Sequence, residues 1–178
     1  MPVVSKRFIV LCIVVYAAMS LVYAQPKASG ASFSISGAGI MYEHYIDNDC
    51  FINADLRAEL LAVFMNRNNS PGISASVSCN FILKNWNTEN YGTISIFAGP
   101  GVMLGMSPDF RKENGGFFGL KGKIGAECRF DRNITVSLSL NPVVGSHIII
   151  KDEHIEMKNY RNGLLNAAIP EIAIKYSF

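Results

Sequence analysis

Apolar and polar residues alternate at every second position along much of this chain, which is typical of β-strands with one apolar and one polar face. The clearest example is "FGLKGKIGAECRF", residues 118–130, in which Leu120 and Ile124 share one face while Lys121 and Lys123 occupy the other. The short polar segment "DRN" separates it from "ITVSLSLN", where the alternation continues. The two segments together predict a β-hairpin.

The same alternation predicts seven strands. They cover residues 33–45, 50–65, 72–85, 91–106, 115–130, 134–146 and 167–178. In the first strand the alternation slips near Gly37 to Gly39, which predicts a β-bulge. The second contains "INADLRAELLAVF", whose composition also fits a helix, but its alternation favours a strand.

An even number of strands is required if these segments form a bacterial membrane barrel. We therefore expect eight strands. The eighth lies either within "SHIIIKDEHIEMKNY" or in a run that combines two strands.

Three features favour a transmembrane barrel whose apolar face contacts lipid. The polar faces are rich in Ser, Thr and Gly. The predicted strands exceed the roughly 5–6 residues of soluble strands and match the roughly 9–11 residues that cross a bilayer. Aromatic residues near the strand ends also resemble the aromatic girdles of membrane barrels. They are Tyr42, Tyr45, Phe64, Trp86, Tyr91, Phe117, Phe118, Phe130, Tyr176 and Phe178.

The predicted fold class is therefore all-β: an antiparallel up-and-down transmembrane β-barrel of eight strands. Its interior would hold charged side chains, six basic and four acidic. They are Asp55, Arg57, Glu59, Lys84, Lys121, Lys123, Glu127, Arg129, Glu171 and Lys175. Because buried charges must be paired, we expect a salt-bridged polar core. The alternatives are a narrow pore that mildly favours anions and a soluble periplasmic β-barrel that binds an apolar ligand inside.

Residues 1–24 have the layout of a secretory signal peptide. Lys6 and Arg7 precede an apolar stretch that ends in small residues at Ala24. The barrel domain would then cover residues 25–178. The alternative is an uncleaved membrane anchor, because the apolar stretch approaches the roughly 20 residues of a spanning helix.

Charge and cysteine content add little to this picture. The net charge of +2 does not indicate a nucleic-acid partner. Charged residues make up 17% of the chain, and the mean hydropathy is +0.22. Cys50, Cys79 and Cys128 follow the signal segment, and an odd number fits either one disulfide with one free thiol or three buried thiols.

One constellation raises the hypothesis of an enzyme that modifies outer-membrane lipids. Ser146, His147 and Glu153 lie near the end of the sixth predicted strand, but their spacing matches no catalytic motif. We therefore predict that the protein is not an enzyme, and that it has no catalytic, cofactor-binding or metal site.

The final segment "IAIKYSF" resembles the last strand of bacterial outer-membrane β-barrels. The wider pattern "FAGPGVMLGM…GGFFGLKGKIGAECRF…ITVSLSLNPVVG" is similar to small outer-membrane barrels of Bacteroidetes, whose function is undefined. The resemblance implies a location in the outer membrane of a Gram-negative bacterium. The expected partners are outer-membrane lipids and the barrel-assembly machinery, which would read the strand ending at Phe178. We also expect an extracellular partner at loops 107–116 and 151–163, because binding surfaces often lie on loops.

Overall fold

The chain folds into a closed antiparallel β-barrel. The computed structural model describes residues 26–64, 70–88, 92–108, 114–130, 133–151 and 154–178. The signal-peptide prediction for residues 1–24 lies outside them. The elements in chain order are β1 (Lys27–Ser34), β2 (Gly37–Tyr45), β3 (Cys50–Glu59), α1 (Leu61–Phe64), β4 (Gly72–Thr88), β5 (Gly92–Pro108), β6 (Asn114–Arg129), β7 (Ile134–Leu140), β8 (Val143–Lys151), β9 (His154–Asn159), α2 (Arg161–Asn166) and β10 (Glu171–Ser177). Neither of the two helices among the described residues is long and apolar enough to span a membrane.

The ten strand segments make an eight-stranded wall. Segments β7 and β8 both pair with β6 and are separated only by Asn141 and Pro142, so they form one interrupted strand. Proline has no backbone N–H to donate, which is consistent with the break. Segments β9 and β10 likewise form the eighth strand, interrupted by α2. The predicted eight-stranded fold class is confirmed.

The barrel closes between its first and last strands. Six residue pairs join β1 to β10, from Ala28 with Ser177 to Phe33 with Ile172. Beyond this ladder, the backbone N–H of Phe178 donates to the carbonyl oxygen of Lys27 over 2.9 Å. Both described ends of the chain therefore lie at one end of the barrel, which we call the terminal end. The opposite end is the far end.

The predicted strand at 33–45 is wrong in one respect. It combines the end of β1 with all of β2, and residues 35–36 turn between them. The pairing of β2 with β3 is continuous from Gly37 to Tyr45, so the expected bulge near Gly37 to Gly39 is absent from this ladder. The strand overlooked by the seven-strand prediction is therefore β1. The segment "SHIIIKDEHIEMKNY" does contain strands, but they extend the seventh strand and supply the part of the eighth strand at the far end.

Four other predicted segments also differ from the structure in their boundaries. The run at 50–65 remains a strand only to Glu59, and Leu61–Phe64 forms a helical turn. The expected loop 151–163 consists largely of β9 and the start of α2, while strands also occupy both sides of the expected loop 107–116. Residues 109–113 and 152–153 of these loops lie outside the described residues. The run at 167–178 begins as a strand only at Glu171.

Inward-facing glycines make room for the largest interior side chains. A Cβ at Gly105 would lie 2.6 Å from Phe117 Cζ, and one at Gly125 would lie 2.8 Å from Phe97 Cζ. A Cβ at Gly37 would similarly approach the Arg57 guanidinium, 3.1 Å from Nε. The glycines along the strands therefore allow aromatic and charged groups to fit inside a narrow barrel.

Replacing Gly92 by Ala should destabilise the barrel. Gly92 has a φ of +86°, and its Cβ would lie 2.0 Å from the carbonyl oxygen of Arg129. We expect a loss of at least about 1 kcal/mol in the free energy of unfolding, measured by urea titration of the refolded protein in detergent micelles. Gly116→Ala is the matched control, because the nearest atom to its Cβ would be 3.8 Å away. Equal unfolding midpoints for the two variants would contradict this account.

Candidate functional site

The outer surface of the wall is apolar over its whole circumference. Leu120 is 71% exposed, whereas the adjacent Lys121 is only 4% exposed. Each strand of the wall contributes large apolar side chains to this surface. They include Phe33, Ile40, Leu56, Ile73, Val77, Val102, Leu104, Ile124, Leu138, Val144, Ile172 and Ile174. The apolar faces of the alternating strands therefore point outward, and the lysines of β6 point inward.

A lysine on the last strand joins two carboxylates inside the terminal half of the barrel. Lys175 Nζ lies 2.8 Å from Glu43 Oε2 and 2.7 Å from Glu127 Oε2, and all three side chains are buried. The other oxygen of Glu127 lies 3.5 Å from Arg129 Nη2, which also donates to the Tyr45 hydroxyl. This network joins β2, β6 and β10 across the lumen.

A second group of polar contacts joins β3 to β6. Lys121 Nζ lies 2.9 Å from Asp55 Oδ2, and it donates to Ser76 Oγ over 2.6 Å. One layer closer to the terminal end, Lys123 Nζ donates to Asn53 Oδ1 over 3.1 Å. Strands β4 and β5 separate β3 from β6 in the wall, so these bonds also span the lumen.

Arg57 forms the third group. Its guanidinium donates to Glu171 on β10 and to the hydroxyls of Ser34 and Ser36. Glu59 lies 4.0 Å from Arg57 Nε and accepts a 2.6 Å hydrogen bond from Ser74. The arginine therefore ties β3 to the last strand and to the β1–β2 turn.

The structure corrects the predicted set of interior charges. Lys84 lies outside, over the ring of Trp86, because the ladder between β4 and β5 shifts register between Ile82 and Lys84. A β-bulge of this kind moves all later residues to the opposite face. Glu43, which the prediction missed, lies inside. Among the described residues the lumen thus holds five acidic and four basic side chains, with Arg129 at its rim. They are Glu43, Asp55, Glu59, Glu127, Glu171, Arg57, Lys121, Lys123 and Lys175. The expected basic excess is wrong.

Two of the aromatic residues assigned to the girdles lie in the lumen instead. Tyr45 packs with Phe51 and Phe97 near the terminal end. The ring centroids of Tyr45 and Phe51 are 5.2 Å apart, and those of Phe51 and Phe97 are 5.5 Å apart. Phe117 stacks on Tyr160 near the far end, with the two ring centroids 4.2 Å apart. Six predicted girdle residues are exposed at or near strand ends, namely Tyr42, Trp86, Phe118, Phe130, Tyr176 and Phe178, while Phe64 is exposed on α1. Tyr91 lies outside the described residues.

The candidate catalytic residues are not brought together. Successive side chains of a strand point to opposite faces, so Ser146 faces outward on β8 while His147 faces the lumen. The His147 ring is fully buried, and its Nε2 donates to the carbonyl oxygen of Ser107 over 3.0 Å. Glu153 lies outside the described residues. His147 is accordingly part of the packing inside the lumen, where its ring lies 6.4 Å from the ring of Tyr160, the residue before α2.

Removing the amine of Lys175 should strongly destabilise the barrel. Lys175→Met would leave Glu43 and Glu127 buried without their shared cation, and we expect a loss of about 3–5 kcal/mol in the free energy of unfolding. Lys158→Met is the control, since the ion pair of Lys158 with Glu156 is partly exposed and should contribute at most about 1 kcal/mol. Urea titrations in micelles measure both losses. A loss for Lys175→Met as small as the loss expected for Lys158→Met would show that the buried network contributes little.

No protein-family model matches this chain, and no curated protein sequence matches it either. The predicted Bacteroidetes-type family therefore stays a prediction. Among solved structures, the chain is similar to the N-terminal β-barrel domain of Pseudomonas aeruginosa OprF. The sequence identity is 8%, the TM-score is 0.52, and the alignment covers 86% of this chain and 97% of that one. Ail, the attachment invasion locus protein of Yersinia pestis, aligns over the same shares at 12% identity with a TM-score of 0.39. At this level of identity, the similarity to OprF establishes the fold: the chain forms a small β-barrel of the outer-membrane type.

Proposed function

We propose that this protein is an integral outer-membrane β-barrel with a structural and surface-interaction role. The observation that carries the proposal is the outward apolar face of every strand around a lumen of paired charges. Such a surface is stable in lipid, where a closed sheet satisfies its backbone hydrogen bonds internally. A soluble barrel with an apolar ligand inside requires the opposite orientation, so we do not favour it.

A sealed lumen fits the contacts better than a pore. Lys175, Lys121 and Arg57 each bind a carboxylate on another strand, and these bonds cross the lumen at successive levels. An eight-stranded barrel has an interior just wide enough for side chains. We therefore propose that the protein does not conduct ions through its centre, and that the charges serve to fix the strands.

A structural role is also favoured over lipid modification. Ser146 and His147 point to opposite sides of the wall, so an attack by the serine assisted by this histidine has no geometric basis. Eight of the nine interior charges are engaged in ion pairs, and the ninth, Lys123, donates to Asn53, so none of them lies in an open cleft. These observations support a protein without catalytic activity.

The β8–β9 hairpin is the surface that we propose for an extracellular partner. We assign the terminal end to the periplasm, as in bacterial barrels, so that the far end faces outward. Within the described part of the wall, β9 pairs only with β8, and Ile155 and Met157 are exposed on it. A strand edge of this kind can accept an extended segment of another protein. This hairpin coincides with much of the segment 151–163.

Fractionation and gel migration test the membrane location. The full chain, expressed in a Gram-negative host, should remain in the outer-membrane fraction and migrate differently on gels when it is not boiled. Ile40→Arg should then cost up to about 2–4 kcal/mol of stability in lipid vesicles, because Ile40 is 65% exposed in the middle of β2.

Ile155→Arg is the matched control for this substitution. Ile155 is 71% exposed, but it lies on the hairpin that we place beyond the bilayer, so the same change should be nearly neutral. Extraction of the protein without detergent, or equal losses for the two variants, would contradict the proposal.

We further propose that the barrel-assembly machinery recognises the last strand. The side chain of Phe178 is 66% exposed, in line with Ile172, Ile174 and Tyr176 on the outer face. Its closing hydrogen bond to Lys27 involves only backbone atoms. The exposed side chain is therefore available to a partner without loss of the closure.

Phe178→Ala should reduce the amount of barrel in the outer membrane while leaving the refolded protein almost as stable in micelles. Phe130→Ala is the control, because Phe130 is also exposed at the terminal end. Immunoblots of membrane fractions measure assembly, and urea titration measures stability. Normal assembly of the Phe178 variant would contradict recognition through this residue.

A further inference from the structure

Two cysteines lie side by side on the outer face of neighbouring strands. Cys50 begins β3, Cys79 belongs to β4, and their Sγ atoms are 3.6 Å apart. We propose that Cys50 and Cys79 form a disulfide in the exported protein. The inference rests on the proposed function, because an outer-membrane protein passes through the oxidising periplasm on its way to the membrane.

The strand register explains how the two thiols meet. Cys50 pairs with Phe81, and Cys79 pairs with Ile52, so the cysteines are diagonal neighbours in an antiparallel ladder. Phe81 and Ile52 are exposed on the outer face, and the cysteines share that face because they are two residues away from them along each strand. Diagonal neighbours lie farther apart than directly opposed residues, but the two cysteine side chains point towards each other, which brings their sulfurs to 3.6 Å.

Only a small movement separates the thiols from a bond. A disulfide requires about 2.05 Å between its sulfurs, so they must approach by about 1.5 Å. Both cysteines are partly exposed, and rotation about χ1 moves each sulfur without moving the backbone. The two residues lie 29 positions apart in the sequence, and the bond would close the β3–β4 hairpin covalently near the terminal end.

The position of the third cysteine determines the pairing. Cys128 lies on β6, and β5 separates that strand from β4 throughout the ladder. The wall therefore keeps Cys128 away from the other two cysteines. Of the three pairings among Cys50, Cys79 and Cys128, the fold brings together only Cys50 with Cys79.

The oxidant would be an exported thiol–disulfide oxidoreductase that carries a reactive disulfide. A thiolate of one cysteine attacks this disulfide, forms a mixed disulfide and displaces one thiolate of the oxidant. The second cysteine, after losing its proton, attacks the mixed disulfide at the sulfur of the first. The Cys50–Cys79 bond forms, and the oxidant leaves as a dithiol that has gained two electrons and two protons.

Mass spectrometry and alkylation test the disulfide directly. The full chain with Cys128→Ala is expressed in a Gram-negative host, and its outer-membrane fraction is denatured in iodoacetamide without reductant. We expect the intact mass of the processed chain, which has lost Cys12 with residues 1–24, to lack two hydrogens, with no alkyl group added. After treatment with dithiothreitol, two alkyl groups should be added.

The variant Cys79→Ala, which retains Cys50 and Cys128, is the control and should be alkylated at both thiols without reductant. Alkylation of both thiols in the unreduced Cys128→Ala protein would overturn the proposal, as would a disulfide to Cys128 in the unsubstituted chain. Boiled and unboiled gel samples of the same fraction are run in parallel. A heat-modifiable barrel with free thiols would refute the disulfide alone, whereas absence from the outer membrane would refute the proposed function.

Discussion

The structure depends on pairing the backbone of the wall internally and enclosing its charge networks, because neither backbone amides nor charges are tolerated in hydrocarbon. Closure of β1 against β10 leaves the membrane-facing part of the sheet without an open edge, and the last residue completes it through the backbone bonds between Phe178 and Lys27. The alternation of side chains then follows from closure. One face of each strand contacts lipid, and the charged side chains on the other face fit within the lumen.

The lumen is consequently a structural element in its own right. A buried charge is stable only beside a partner, so each lysine or arginine holds together strands that are distant in the wall. Lys175 connects β10 with β2 and β6, and Arg57 connects β3 with β10. Small inward residues make these contacts fit, since a side chain at Gly37 would compete with the Arg57 guanidinium for the same space. Aromatic clusters pack the lumen towards each end.

The wall is uneven in height, and ordered strands extend beyond their neighbours at both ends. At the terminal end, the β3–β4 ladder stops at Cys50 with Phe81, while the β4–β5 ladder continues to Thr88 with Gly92. At the far end, β8 pairs with β6 up to Ile148, and the β8–β9 hairpin continues beyond that point. Parts that are expected to be loops are therefore strand extensions with ordered backbone edges and exposed side chains.

The sequence by itself determined the alternation, the apolar outer face and the inward direction of residues such as Lys121 and Glu127, because the two-residue period of a strand is a local property of the chain. It did not determine where that period changes phase. The bulge before Lys84 and the tight turn at residues 35–36 depend on pairing with neighbouring strands, and they decided the positions of Lys84 and Glu43. Only the stagger of the closed sheet decided which acid meets which base across the lumen, because those partners are distant in sequence and come together only when the barrel closes.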